Sequence, residues 1–164
     1  MAKLYMGFDA GTQSVKVAVY DENFNPVASH SLPTTLHYPQ PGWVQMNIDE
    51  FLNITVECMK KTVEAIKGKG YSPSDIAAVM GDGIICGICG VDENGKAVTP
   101  YINYLDSRTQ ADVDAINAKN LDIWGRETGN PEANCMFPAM FARWFLANSE
   151  DSVSYTHLTL PTIR

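Results

Sequence analysis

No stretch of the 164-residue sequence is apolar for long enough to span a bilayer. The N-terminus, "MAKLYMGFDAG", carries a single lysine. Its short apolar run passes straight into patterned sequence, so no signal peptide is read and a cytoplasmic location is expected. Basic clusters are also missing. With 12 Lys+Arg against 19 Asp+Glu the net charge is −7, which leaves no footprint for nucleic acid. An acidic chain can still bind nucleotides, because backbone N–H groups and a bound cation can carry the phosphate contacts. Cysteine is sparse: Cys58, Cys86, Cys89 and Cys135. Without a sign of secretion they read as reduced, mostly buried thiols rather than disulfides. No internal repeat is present. What remains is a chain that is 45% hydrophobic and 19% charged, the balance of a globular domain with enough apolar residues for a core.

The opening reads as a β-meander. Leu4 to Phe8 is an apolar strand, Val15 to Tyr20 alternates with period two as its antiparallel partner, and Val27 to Leu32 alternates again. A Pro/Gly-rich loop with two aromatics follows ("HYPQPGW", residues 37–43). Asn47 is a good N-cap, with Asp49 and Glu50 behind it. Ile48, Leu52, Met59, Val63 and Ile66 recur at helical spacing, so a helix is expected to about Lys67. Ile76 to Met80 has the short apolar character of a buried strand. "ICGICGVD" (residues 85–92) reads as another strand, "ENG" as a turn and Lys96 to Thr99 as the return. Helices are expected over Arg108 to Asn117, Leu121 to Arg126 and Phe137 to Leu146. Three leading strands followed by crossover helices predict an α/β fold with a mixed sheet flanked by helices.

The turn between the first two strands is "DAGTQS", Asp9 to Ser14. A hairpin turn needs only Gly, Asn or Asp. This one also ends an apolar strand on a carboxylate that can hold hydrated Mg²⁺. Gly11 permits close backbone approach. Thr12, Gln13 and Ser14 offer hydroxyls, an amide and successive N–H groups, and Lys16 adds a positive charge. The spacing is neither a Walker A loop nor a dinucleotide fingerprint. By pattern alone a phosphate site and a plain hairpin stand level.

"CGIC" (Cys86 to Cys89) has redox or metal spacing. In a strand, residues three apart point to opposite faces, and no second Cys or His pair follows to complete a zinc site, so structural thiols are the expected reading. His30 and His37 are lone histidines, and His37, Tyr38 and Trp43 read as shaping a loop. Trp124 and Trp144 lie in helical patterns and read as core. From Val153 the character changes. "VSYTHLTLPT" has no helical period and resembles the conceptual translation of a sequencing-library adapter; the alternative is a genuine edge strand. The expected division is therefore a partial domain over 1–152 and a non-native tail over 153–164. The natural chain is expected to continue past about Asp151, and His157 carries no functional weight.

"GFDAGTQSVKVAVYDENFNPVAS" followed by "HYPQPGWVQMNIDEF" resembles the N-terminal domain of the FGGY carbohydrate kinases. "GVDENGKAVTPYINYLDSRT" and "ETGNP" match the family's next segments, so the resemblance covers about residues 4–148. It implies a ribonuclease-H/actin-like ATPase fold, incomplete at the C-terminus. The implied reaction is transfer of the γ-phosphate of ATP to a sugar hydroxyl, with ATP and Mg²⁺ as cofactors. The implied partners are small molecules, sugar and ATP, without nucleic acid or membrane. A homodimer of the full-length enzyme is the assembly considered. Carried over by position, Asp9 organises Mg²⁺ through water, Gly11, Thr12, Gln13 and Ser14 line the phosphates, and Lys16 neutralises charge.

The resemblance places substrate contacts at Asp82, Ile84, Ile85, Cys86, Tyr104 and Asp106. Here the sequence departs from the family. Between Gly83 and Gly87 it reads "IIC" where xylulokinase-like members carry a polar Gln-Met-His type segment. The sugar differs, or its polar contacts come from Asp82 and elsewhere. Tyr104 stands where a tryptophan often lies beside the sugar; core packing is its alternative. Asp106 and Arg108 occupy a D-x-R motif, for which a structural ion pair with a helix N-cap role is the alternative. No catalytic residue is assigned, because the base aspartate and the ATP-binding domain of such kinases are expected downstream. The fragment alone is therefore expected to be inactive. A pentulose such as xylulose is the first expected acceptor, ahead of other ketoses, deoxy-sugars, polyols and aldonates. An actin- or chaperone-like ATPase and a non-catalytic sugar-binding regulator are the competing functions.

Overall fold

The computed structural model describes residues 3–148, so the tail over 153–164 lies outside the described residues. The chain divides into two compact units.

The first unit comprises residues up to 37, 45–85 and 89–101. It is built on a four-stranded sheet in the order β3-β2-β1-β5. Strands β1 (Leu4–Ala10), β2 (Ser14–Tyr20) and β3 (Pro26–Pro33) form the expected antiparallel meander. Val15, Val17 and Val19 point inward and Lys16 and Tyr20 outward, as period two requires. A short strand β4 (Gln45–Met46) leads into helix α1 (Ile48–Lys67). Asn47 caps it: its Oδ1 accepts the Glu50 N–H at 3.0 Å. The helix is the crossover that lets β5 (Ile76–Gly83) lie parallel to β1, so the sheet is mixed. The core gathers Leu4, Met6, Val15, Val17, Val19 and Val27 with Cys58 and Ile66 of α1. β6 (Tyr101–Ile102), which pairs with β4, carries the chain out of this unit.

Three sequence expectations fail here, the return strand at Lys96 to Thr99 among them, of which only the Val91–Ala97 bridge forms. The apolar strand at Ile76 is not buried: Met80 is 78% exposed and Val79 57%. Among the described residues β5 is the sheet's edge, paired only with β1, while α1 packs on β2 and β3. Nor is "ICGICGVD" a strand. The chain leaves the ladder after Gly83, and Cys86 adopts a left-handed φ of 63° that breaks the extended run. Single bridges at Ile88 and Val91 are all that remain. The "ENG" turn does form: Asp92 Oδ1 accepts the N–H groups of Asn94 and Lys96, and Gly95 supplies φ 77°.

The second unit comprises 38–44, 86–88 and the residues from 102 onward. Its helices are α2 (Gln110–Asn117) and α3 (Pro138–Asn148), with a π-helical turn over Trp124–Thr128 where a short helix from Leu121 was expected. Val113, Ala133 and Met140 form its apolar cluster, and Trp124 and Phe137 pack against them. The Asn117 side chain bonds both backbone groups of Ala133, standing in for a strand neighbour. Among the described residues no helix is long and apolar enough to cross a membrane.

Candidate functional site

The β1–β2 hairpin positions the "DAGTQS" residues. Asp9 and Lys16 are directly opposed in the antiparallel ladder, and Asp82 is Asp9's partner on the parallel side. Ser31 is opposite Lys16 on β3. The four therefore form one row across the sheet, and all are exposed on the face away from the valine core. The structure thus brings Asp9, Lys16 and Asp82 together, as strand-end placement at residues 9 and 82 requires. A shallow cavity of about 580 Å³ opens along this face, lined by Gly7, Asp9, Lys16, Ala18, Tyr20 and Ser29.

Gly11, Thr12 and Gln13 make the turn itself. The Gly11 N–H donates to the Ser14 carbonyl at 3.1 Å, and a Cβ on Gly11 would lie 3.0 Å from that same oxygen. A tight turn alone therefore accounts for this glycine. Thr34 pins the tip from outside: its N–H donates to the Gln13 carbonyl at 3.1 Å and its Oγ1 to the Thr12 carbonyl at 2.6 Å. Both tip carbonyls are thus satisfied from outside the turn. The metal donors beside Asp9 are carboxylate oxygens, its own and those of Asp82 on the neighbouring strand, while the Lys16 ammonium opposite supplies charge rather than a ligand. Such a set suits Mg²⁺, which retains several waters and takes one or two carboxylates. No three His, Cys, Asp or Glu side chains cluster to cage a metal among the described residues, so Asp9 would hold Mg²⁺ through water rather than within an all-protein cage.

Past β5 the Ile84 N–H donates to the Ala10 carbonyl at 3.2 Å, extending the ladder beside the loop. Ile85 is exposed and Cys86 half-buried. The cysteines are all free. Burial pushes the Cys89 thiol above its ordinary pKa, the opposite of what a redox thiolate needs. Cys58 is pushed up for the same reason, and its thiol donates to the His30 carbonyl at 3.4 Å.

The second unit holds Tyr104 and Asp106. Asp106 and Arg108 form a closed pair, with side chains 0% and 2% exposed. Arg108 donates from Nε to Oδ1 at 2.9 Å and from Nη2 to Oδ2 at 2.7 Å, the two-pronged geometry a guanidinium favours. Oδ1 also accepts the Arg108 N–H at 2.9 Å, and Oδ2 the Val44 N–H at 2.6 Å. The guanidinium carbon lies 3.8 Å from the Trp43 ring centre and 4.9 Å from that of Trp144. The indoles meet edge to face at 5.2 Å. The pair does not cap α2: Thr109 is the N-cap residue. Sequence reasoning missed this cage. The D-x-R motif was visible, but nothing local ties residue 108 to residues 43 and 144.

Comparison with known proteins follows the same lines. Residues 4–162 match the profile of the FGGY family of carbohydrate kinases, N-terminal domain. A probable glycerol kinase of Caenorhabditis elegans is 30% identical over 151 residues, covering 88% of this chain and 30% of the relative. A xylulose kinase of Rhodospirillum rubrum superposes with a TM-score of 0.81 at 21% identity, over 93% of this chain and 31% of that one. A Plasmodium falciparum glycerol kinase solved with ADP gives 0.77 at 23%, over 93% and 30%. The likeness to these structures establishes the shared actin-like ATPase fold. This chain spans about 30% of the length of the curated relatives it matches. The family profile, matched over nearly the whole chain, shows that the chain belongs to the FGGY family of carbohydrate kinases.

Proposed function

We propose that this chain is the N-terminal domain of an ATP-dependent kinase that phosphorylates a small polyol or sugar. The observation that carries this reading is the row of Asp9 and Lys16 beneath the pinned Gly11–Gln13 turn, in a chain of this family. Bound Mg²⁺–ATP would supply the transferable phosphoryl group and an ion that offsets its charge. Asp9 would hold that ion's water shell. Thr12, Gln13 and Ser14 would orient phosphate oxygens, and Lys16 would compensate charge from the neighbouring strand. Positioning and charge compensation are what phosphoryl transfer asks of a protein.

On the acceptor side, Asp82 is an exposed carboxylate that would accept hydrogen bonds from hydroxyls. Ile84 and Ile85, in the same unit, would add little polarity beside it; Cys86 and Tyr104, in the second unit, are separate candidate contacts. Glycerol joins xylulose at the head of the acceptor order, because relatives bearing the name glycerol kinase match over most of the chain. The base and the ATP-binding residues would lie in the rest of such a kinase, so the 164 residues alone should not turn over ATP.

The test is ADP release by the complete gene product with glycerol, xylulose, other ketoses and gluconate in turn. One acceptor should stimulate turnover strongly. ATP hydrolysis that no acceptor accelerates would instead mark a chaperone-like ATPase, and sugar binding without turnover a regulator. Sugar-dependent turnover by residues 1–164 alone would overturn the expected inactivity.

A further inference from the structure

Thr34 binds two successive carbonyls at the tip of the β1–β2 turn. Its Oγ1 donates to the Thr12 carbonyl at 2.6 Å and its N–H to the Gln13 carbonyl at 3.1 Å. In an extended strand, neighbouring carbonyls point to opposite edges, so this pair marks a local change of direction. Each peptide is planar and trans, which puts its N–H on the edge opposite its carbonyl. The N–H groups of Gln13 and Ser14 therefore both point away from Thr34. Two successive N–H groups on one side of a turn make the kind of concavity that binds anions. Thr34 follows β3, which flanks β2 on the side opposite β1. The concavity thus opens toward the β1 side of the turn. The Asp9 carboxylate lies there: a Cβ on Gly11 would sit 3.6 Å from its Oδ1 and 3.7 Å from its Oδ2.

Thr34 is itself held at both ends. Pro33 before it is the last residue of β3 and lies opposite Ser14 in the ladder. Thr35 after it donates from Oγ1 to Glu50 Oε1 at 2.7 Å, and the Glu50 N–H is bound by the Asn47 cap of α1 at 3.0 Å. The hydroxyl that reaches the Thr12 carbonyl is thus carried on a segment tied to both the sheet and the helix. We propose that Thr34 is a positioning residue: by holding the Thr12 and Gln13 carbonyls it aims the Gln13 and Ser14 N–H groups at phosphate oxygens. The inference deepens the kinase reading above and rests on it. The ligand chemistry it fits is the terminal phosphates of a nucleoside triphosphate. N–H groups aimed before binding need no reorganisation when phosphate arrives, so Thr34 contributes to phosphate affinity without touching the phosphate.

The experiment uses the complete gene product and its best acceptor. It compares Thr34→Val, which keeps the shape and loses the hydroxyl, with Thr34→Ser, which keeps the hydroxyl. Thr34→Val should lower kcat/KM for ATP about tenfold and leave the acceptor KM unchanged. Thr34→Ser should restore most of that loss. Calorimetry supplies a readout that needs no turnover. Thr34→Val should weaken binding of a non-hydrolysable imido analogue of ATP, with Mg²⁺, about tenfold and leave adenosine at its wild-type affinity. A merely structural role would move both ligands or neither. Should Thr34→Val not fold, Thr34→Cys, whose thiol is a weak donor, should show part of the same loss. Wild-type kcat/KM for ATP in the folded variant overturns the inference. So do equal losses for the analogue and adenosine, or a Thr34→Ser variant no better than Thr34→Val. Absence of acceptor-dependent turnover in the wild-type protein sinks the kinase reading itself, and the inference with it.

Discussion

In the sheet unit, the buried interior is Leu4, Val15, Val17, Val19, Cys58 and Ile66, with Thr62 the fully buried polar residue, its hydroxyl satisfied by the Cys58 carbonyl of its own helix. In the helical unit, Asn103, Asp106 and Thr109 are as buried as Phe141. The first interior is held by apolar burial, which has no preferred direction and degrades gradually when an atom is removed. The second adds to its apolar cluster a polar network around Asp106 and Arg108 in which each partner satisfies another. Removing one leaves a buried charge or donor with nothing to bond, so the network fails abruptly.

Substitutions of graded severity separate the two kinds of interior. Asp106→Ala, which strands the Arg108 cation, should cost about 3–5 kcal/mol by chemical denaturation. Replacing Asp106 and Arg108 together by Leu and Met should restore most of that loss. If the single and double variants are equally unstable, the contrast between the units is wrong. Ile66→Ala, in the apolar core, should cost about 3 kcal/mol. Its loss should barely respond to salt. Gly42→Ala forces a Cβ to within 2.6 Å of Ser107 Oγ at φ 80°, and should cost about 2 kcal/mol. Asn47→Ala removes only the α1 cap and should cost about 1 kcal/mol, seen as a small fall in Tm.

The same contrast explains what could be read in advance. Alternation over Val15 to Tyr20 and helical spacing from Ile48 to Ile66 express burial against a single face. The meander and α1, capped by Asn47 and ending at Lys67, were therefore legible. Apolar composition was less reliable where burial depends on a neighbour: Ile76 to Met80 looked like an interior strand and is an edge among the described residues. In "ICGICGVD" the interleaved glycines outweighed the isoleucines, and a left-handed Cys86 ended the ladder. The Asp9 loop was legible as a motif, and its row with Lys16 and Asp82 needed the strand register. The Trp43–Arg108–Trp144 cage was not legible, since Val44 and Asp106 meet across 62 residues of chain.

The most direct test of the account concerns Asp9, the carboxylate at the centre of that row. In the complete gene product, Asp9→Ala should lower acceptor-dependent ATP turnover by about 100-fold or more, as expected when a group that organises transition-state charge is removed. Acceptor binding, followed by calorimetry, should stay near the wild-type affinity. Turnover close to wild type in Asp9→Ala would contradict the phosphate role of the hairpin and, with it, the proposed function.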